Sequence, residues 1–156
     1  MSVETVRAFL AAHAPDLDIV ELDASTATVE MAARGHQVAP AQIAKTLSLR
    51  IKDRALLIVT SGDARLNNRK IKDVLGGKPR MLGADEVVAL TGHPVGGVCP
   101  FGLATPLPVY CDVSLKAFDE VVPAAGSTNS ALRISPDRLA AIVGAEWIDV
   151  CDRAPS

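Results

Sequence analysis

Aromatic residues are scarce in this sequence: one Trp, one Tyr and three Phe among 156 positions. Any core it builds must be aliphatic, packed from Val, Leu, Ile and Ala. Long hydrophobic runs are also missing. The longest, such as ALLIV at 55–59, fall far short of the roughly 20 residues that a membrane-crossing helix needs, so no membrane association is expected. Cys99, Cys111 and Cys151 form no CxxC pair and are odd in number, which fits a reduced protein rather than a disulfide scaffold. The N-terminus has neither the basic n-region nor the apolar h-region of a secretory signal, and a cytoplasmic location is the expectation. His13, His36 and His93 lie far apart, and no HExxH or Cys/His ligand spacing occurs. Neither a metal nor a cofactor is expected. GxGxxG, GxxxxGK[ST] and GxSxG are absent too, which removes a dinucleotide fingerprint, a P-loop and a serine-hydrolase elbow.

What is present describes a globular chain, 49% apolar and 22% charged, of a length that suits one domain over residues 1–156. The net charge of −2 argues against an indiscriminate nucleic-acid binder, but the charges are unevenly placed. Residues 45–80 hold ten Lys or Arg against three Asp, and the remainder holds six basic and fifteen acidic residues. Such a split fits one basic face for a polyanion, with Arg65, Arg69 and Lys70 as candidates. It fits solvated turns and helix faces equally well.

The periodicity alternates helix and strand. SVETVRAFLAAHA (2–14) has apolar residues at 3, 6, 9 and 10, a candidate N-cap in Ser2 and a stop at Pro15, which predicts an amphipathic helix. Helices are also expected over 28–36 with Thr28 as cap, 67–77, 84–92, near 114–118 and over 135–144 with Ser135 as cap. A helical turn at 40–44 feeds a strand over 45–51, whose apolar residues alternate at 47, 49 and 51. A second strand over 54–61 follows across a short turn, which predicts an antiparallel hairpin. Further strands are expected at 18–22, 107–113, 120–125, 130–134 and 146–150. The expected fold class is therefore α/β of the α+β kind: one mixed, mostly antiparallel sheet of about six or more strands among short helices.

One stretch resists a simple reading. TGHPVGGVCPFGL (91–103) combines Gly92, Gly96, Gly97 and Gly102 with Pro94 and Pro100 in an otherwise apolar segment. Glycines there let main chain approach a ligand closely, and the prolines stiffen the ends. A rigid bend of this kind can present N–H groups to a carbonyl oxygen or to the oxyanion it becomes. AAGSTN (124–129) could form an opposite wall, although both segments also read as tight packing turns. Cys99 could act as a nucleophile or sit as a small buried residue.

Three strings, QIAKTLSLR, GHPVGGVCPFGL and AAGSTNSALRISPDRL, together resemble the YbaK/ProX family of aminoacyl-tRNA deacylases. These are free-standing relatives of the editing insertion domain of prolyl-tRNA synthetase. The resemblance covers about residues 26–150 and implies the family fold. It also implies a trans-acting hydrolase that cleaves the ester of mischarged tRNA, with Ala or another small amino acid on proline-specific tRNA as the expected substrate. Prolyl-tRNA synthetase is an implied partner. A non-catalytic tRNA- or synthetase-binding module of the same fold is the alternative. Lys45 matches the family's important lysine, expected to face the pocket and hold the tRNA 3′ end. Gly96, Gly97, Val98, Cys99 and Pro100 match the loop that positions the carbonyl, and His93, Gly126, Ser127, Thr128 and Asn129 are implied substrate contacts. An unliganded cation in such a pocket is costly, so replacing Lys45 is expected to leave stability equal or higher.

Overall fold

Side-chain caps begin several helices, and alternating apolar residues mark the central strands. The computed structural model describes residues 2–152, with side chains from Val3; the cap expected of Ser2 lies outside that description. Helix α1 (Ser2–His13) buries Val3, Val6 and Leu10. After the two-residue strand β1 (Val20–Glu21), α2 (Val29–His36) starts where the Thr28 hydroxyl accepts the Met31 N–H at 3.1 Å. A single 3-10 turn, Pro40–Gln42, leads into β2 (Ile43–Ile51), which folds back on β3 (Arg54–Ser61). Helix α3 (Asn68–Leu75) is capped by the Asn67 side chain, which accepts the Lys70 N–H at 3.0 Å. Strand β4 (Pro79–Met81) and helix α4 (Ala84–Thr91) precede the Gly/Pro-rich segment. Strand β5 (Val109–Asp112), a 3-10 turn (Val113–Ala117), β6 (Val122–Pro123) and β7 (Ser130–Ala131) follow. Helix α5 (Pro136–Val143), capped by Ser135, and β8 (Glu146–Ile148) complete the described elements.

The main sheet runs β4-β2-β3-β5-β8, with β6 beside the start of β2, while β1 and β7 form a separate antiparallel pair. Its antiparallel ladder β2–β3 pairs eight residues and β2–β4 three, against two or three in each parallel ladder. The α+β class and the mostly antiparallel sheet therefore stand. Strand β4 was not expected. Proline is tolerated there because it opens an edge strand, where a missing donor breaks no interior ladder.

Alternation along β2 and β3 divides the interior in two. Leu49, Ile51, Leu56 and Ile58 face α3, where Ile71 and Leu75 meet them with Val150. Leu57 and Val59 face the other way, onto Val6 and Leu10 of α1, Phe101 and Leu139. Ala44, Thr46 and Ser48 share this second face, since they pair with Ser61, Val59 and Leu57. They are the small residues of β2, and a space opens over them.

Candidate active site

The space is a cleft of about 250 Å³. Ala44, Thr46 and Ser48 line it from β2, Thr28 and Val29 from the start of α2, and Gly96 and Val98 from the Gly/Pro-rich loop. Ala124, Ser130 and Ala131 close it beside β6 and β7.

The loop is held from beneath. The Thr91 hydroxyl accepts the His93 N–H at 3.0 Å. His93 is fully buried, and its Nε2 lies 2.8 Å from the Phe101 carbonyl, so that nitrogen donates. Cys99 is also fully buried, with Sγ 3.6 Å from His93 Nε2. Burial pushes the Cys99 thiol up to about 12 and lowers the pKa of His93. A thiol held protonated in this way is a packing group rather than a nucleophile. Neither His93 nor Cys99 borders the cleft; the structure places them under the loop that does.

The two Gly-containing segments do not stand on opposite walls, as the sequence led us to expect; they pack directly on each other. The Gly126 N–H donates to the Gly97 carbonyl at 3.1 Å. A Cβ at Gly97 would come within 2.7 Å of the Ser127 main chain, so nothing larger fits. Gly96 adopts φ 90° and lies against Ala27. The Gly97 N–H closes a turn onto Pro94, whereas the N–H groups of Gly96 and Val98 meet no acceptor among the described residues. Gly96 and Val98 both line the cleft.

Residues 126–129 do less at the cleft than expected. The Ser127 hydroxyl lies 2.6 Å from that of Ser130 and donates to Asn129 Oδ1 at 2.8 Å. Asn129 Nδ2 donates to the Leu22 carbonyl, and the Thr128 carbonyl accepts from Thr26. They brace Ser130 and the approach to α2 instead of lining the space.

Lys45 borders the cleft and is the one charged residue among the described residues that do. Its register partner is Thr60, which puts its side chain on the α3 side of β2. The ammonium donates to the carbonyls of Gly62 at 3.2 Å and Ala64 at 2.7 Å. Burial lowers its pKa, and nearby Cys151 and Asp63 oppose that shift. The expectation that the ammonium enters the pocket is thereby corrected: two carbonyls hold it on the α3 side. Arg65 and Arg69 are exposed on the α3 side, and Lys70 is tied to Asp149 at 3.1 Å and to the Cys151 carbonyl at 2.9 Å. None of the three reaches the cleft. Sequence reasoning missed Thr46, Ser48 and Ser130. The first two were legible as the complement of the 47, 49, 51 alternation, the third only through its pairing.

A cleft floored by small residues of β2 and bordered by main chain at Gly96 and Val98 is a candidate small-ligand site. The chain belongs to the family of aminoacyl-tRNA editing domains, whose model matches residues 23–142. It is 46% identical to the uncharacterized protein YwhH of Bacillus subtilis over 153 residues, covering 97% of this chain and 98% of that protein. It is 36% identical over 131 residues to the proline–tRNA ligase of Solidesulfovibrio magneticus, covering 82% of this chain but only 22% of the ligase. Among solved structures, a proposed trans-editing enzyme for prolyl tRNA synthetase superposes with a TM-score of 0.90 at 36% identity, over 97% of this chain and 98% of that one. The hypothetical protein APE2540 superposes at 0.87 and 32% identity, over 95% and 99% of the two chains.

Proposed function

We propose that this chain is a trans-acting aminoacyl-tRNA deacylase that hydrolyses the ester of proline-specific tRNA mischarged with Ala or another small amino acid. The observation that carries the reading is the pair of free N–H groups at Gly96 and Val98, on the wall of a cleft only about 250 Å³ in volume. An aminoacyl ester is already activated, so a positioned water or substrate hydroxyl suffices as nucleophile. What the protein supplies is stabilisation of the charge that develops on the carbonyl oxygen, worth about 3 kcal/mol per well-placed donor. No carboxylate lines the cleft among the described residues, so acid–base catalysis by a carboxyl pair has no basis here. Lys45 is the one positive charge at the border among the described residues and, in this reading, turns from its carbonyls toward the tRNA 3′ end. Arg65 and Arg69 contact phosphates farther along the acceptor arm, where they raise affinity without entering the chemistry. Cys99 and His93 set the loop's shape.

The relatives support the class of activity, and the near-complete overlap with a proposed trans-editing enzyme supports action apart from a synthetase chain. Incubation of the pure protein with alanyl-tRNA specific for proline tests the reading. Release of alanine with the tRNA left intact is expected. Binding with the ester preserved would instead make the chain a non-catalytic module.

A further inference from the structure

A second cavity, about 720 Å³ in volume, opens where the parallel strands β3, β5 and β8 end. Ser61 closes β3, Asp112 closes β5 and Asp149 follows β8, and all three border it. The crevice outside the carboxyl ends of parallel strands is the usual ligand site of an open sheet. Its carboxylates are not equally engaged. Asp112 accepts the N–H groups of Ser114 and Val150, Asp149 pairs with Lys70, and Asp152 accepts from Asn67. Asp63 has only the Ser61 hydroxyl, 2.9 Å from its Oδ1, and that single proton also faces the Ala41 carbonyl at 2.7 Å. Its Oδ2 meets no donor among the described residues.

Ser61 also fixes Ser114, whose hydroxyl oxygen accepts the Ser61 N–H at 3.0 Å. The Ser114 hydroxyl proton meets no acceptor among the described residues. Asp63 and Ser114 both border the cavity, as does the partly buried ring of Phe118. One acceptor and one donor held by a single residue, with an aromatic ring in the same cavity, suit the edge and face of a nucleobase. Cytosine and adenine each carry an amino donor beside a ring-nitrogen acceptor, which complements Asp63 and Ser114. Uracil and guanine carry a carbonyl oxygen beside a ring N–H, and that oxygen would face the carboxylate.

The cavity adjoins the cleft through Lys45. That residue borders the cleft, and its ammonium lies 2.7 Å from the carbonyl of Ala64, which borders the cavity. Arg65 borders the cavity too, is exposed, and has no ion-pair partner among the described residues. Resting on the deacylase reading above, we infer that this cavity seats the cytosine of the nucleotide that precedes the esterified adenosine in tRNA. Asp63 accepts from the cytosine amino group, Ser114 donates to the ring nitrogen, and Phe118 packs against the base. The phosphate that joins the two nucleosides then falls at Lys45, and the one before it at Arg65. Such a seat fixes how far the ester reaches into the cleft, whichever amino acid it carries.

Binding is followed by the amide chemical shifts of wild type and Asp63→Asn with cytidine or uridine monophosphate. Deacylation is followed on alanyl-tRNA with that cytosine kept or replaced by uracil. Cytidine monophosphate should shift the amides of Ser61, Ala64 and Ser114, and bind about tenfold more tightly than the uridine nucleotide. The uracil-bearing tRNA should lose about tenfold in kcat/KM. Asp63→Asn should bring both ratios close to one, because an amide offers uracil a donor as readily as it offers cytosine an acceptor. Equal affinity for the two nucleotides, or shifts at Gly96 and Val98 instead, would overturn the inference. So would an unchanged rate on the uracil-bearing tRNA. A wild type that hydrolyses neither tRNA defeats the deacylase reading alone, since the two nucleotides still decide what the cavity binds.

Discussion

On one side of β2, Leu49 and Ile51 meet Ile71 and Leu75 of α3; on the other, Ala44, Thr46 and Ser48 border the cleft. Successive residues of one strand thus serve opposite ends. Around Leu49 and Ile51 the α3 side is a packed aliphatic cluster, which contributes stability. The cleft side carries small residues that leave room, and the buried Thr46 hydroxyl meets no partner among the described residues. Substitutions on the α3 side should appear in unfolding, and those on the cleft side in turnover. A variant that mixes the two readouts marks where the separation ends.

The largest effect is expected at Leu49, which is 1% exposed. Leu49→Ala should cost about 2–5 kcal/mol in urea unfolding, through lost burial and the cavity left behind. A loss near zero would show that the α3 side is looser than its packing implies. Gly97→Ala comes next. Its Cβ would meet the Ser127 main chain at 2.7 Å, so the loops must part, at about 1–3 kcal/mol of stability. The same shift moves the Gly96 and Val98 amides, and deacylation should fall at least tenfold at temperatures where the protein stays folded.

Lys45 is where the two sides meet. Lys45→Ala should lose about 1–2 kcal/mol of stability with the bonds to Gly62 and Ala64, and most of the deacylation as well. Lys45→Arg should remain impaired, because a planar fork does not replace a compact ammonium. Loss of stability with full activity would make the residue purely structural.

A smaller effect follows from His93. Burial lowers its pKa below the ordinary 6.5, so the folded state holds the neutral ring while the unfolded chain takes up a proton. Its contribution is therefore complete above pH 6.5 and fades as pH falls below that value toward the lowered folded pKa. His36 is shifted in the same direction by burial. The urea midpoint should fall between about pH 7 and about pH 5, and His93→Gln should reduce that fall. An identical pH dependence in His93→Gln would exclude this histidine as its source.

Much of this was legible before the structure, and the reasons are local. Thr28 and Ser135 begin helices through their own side chains as expected, and the 47, 49, 51 alternation defines the packed side of β2. The Gly/Pro-rich loop stood out by its composition, although that composition also reads as a tight packing turn. The remainder depends on partners distant in sequence. The edge strand β4 exists only because β2 offers it a ladder. The ammonium of Lys45 is drawn to carbonyls 17 and 19 residues away, which no motif encodes. Ser130 takes its place through contact with Ser127 and the loops around it, and Arg65, Arg69 and Lys70 end away from the cleft.

Central to the account is a cleft that hydrolyses small aminoacyl esters on proline-specific tRNA while sparing the correctly charged molecule. Single-turnover deacylation of alanyl-, seryl- and prolyl-tRNA by the wild-type protein tests this most directly. The small mischarged esters should disappear far faster than they hydrolyse spontaneously, with prolyl-tRNA left at its spontaneous rate. Equal hydrolysis of prolyl-tRNA, or no acceleration for any of the three, would contradict it.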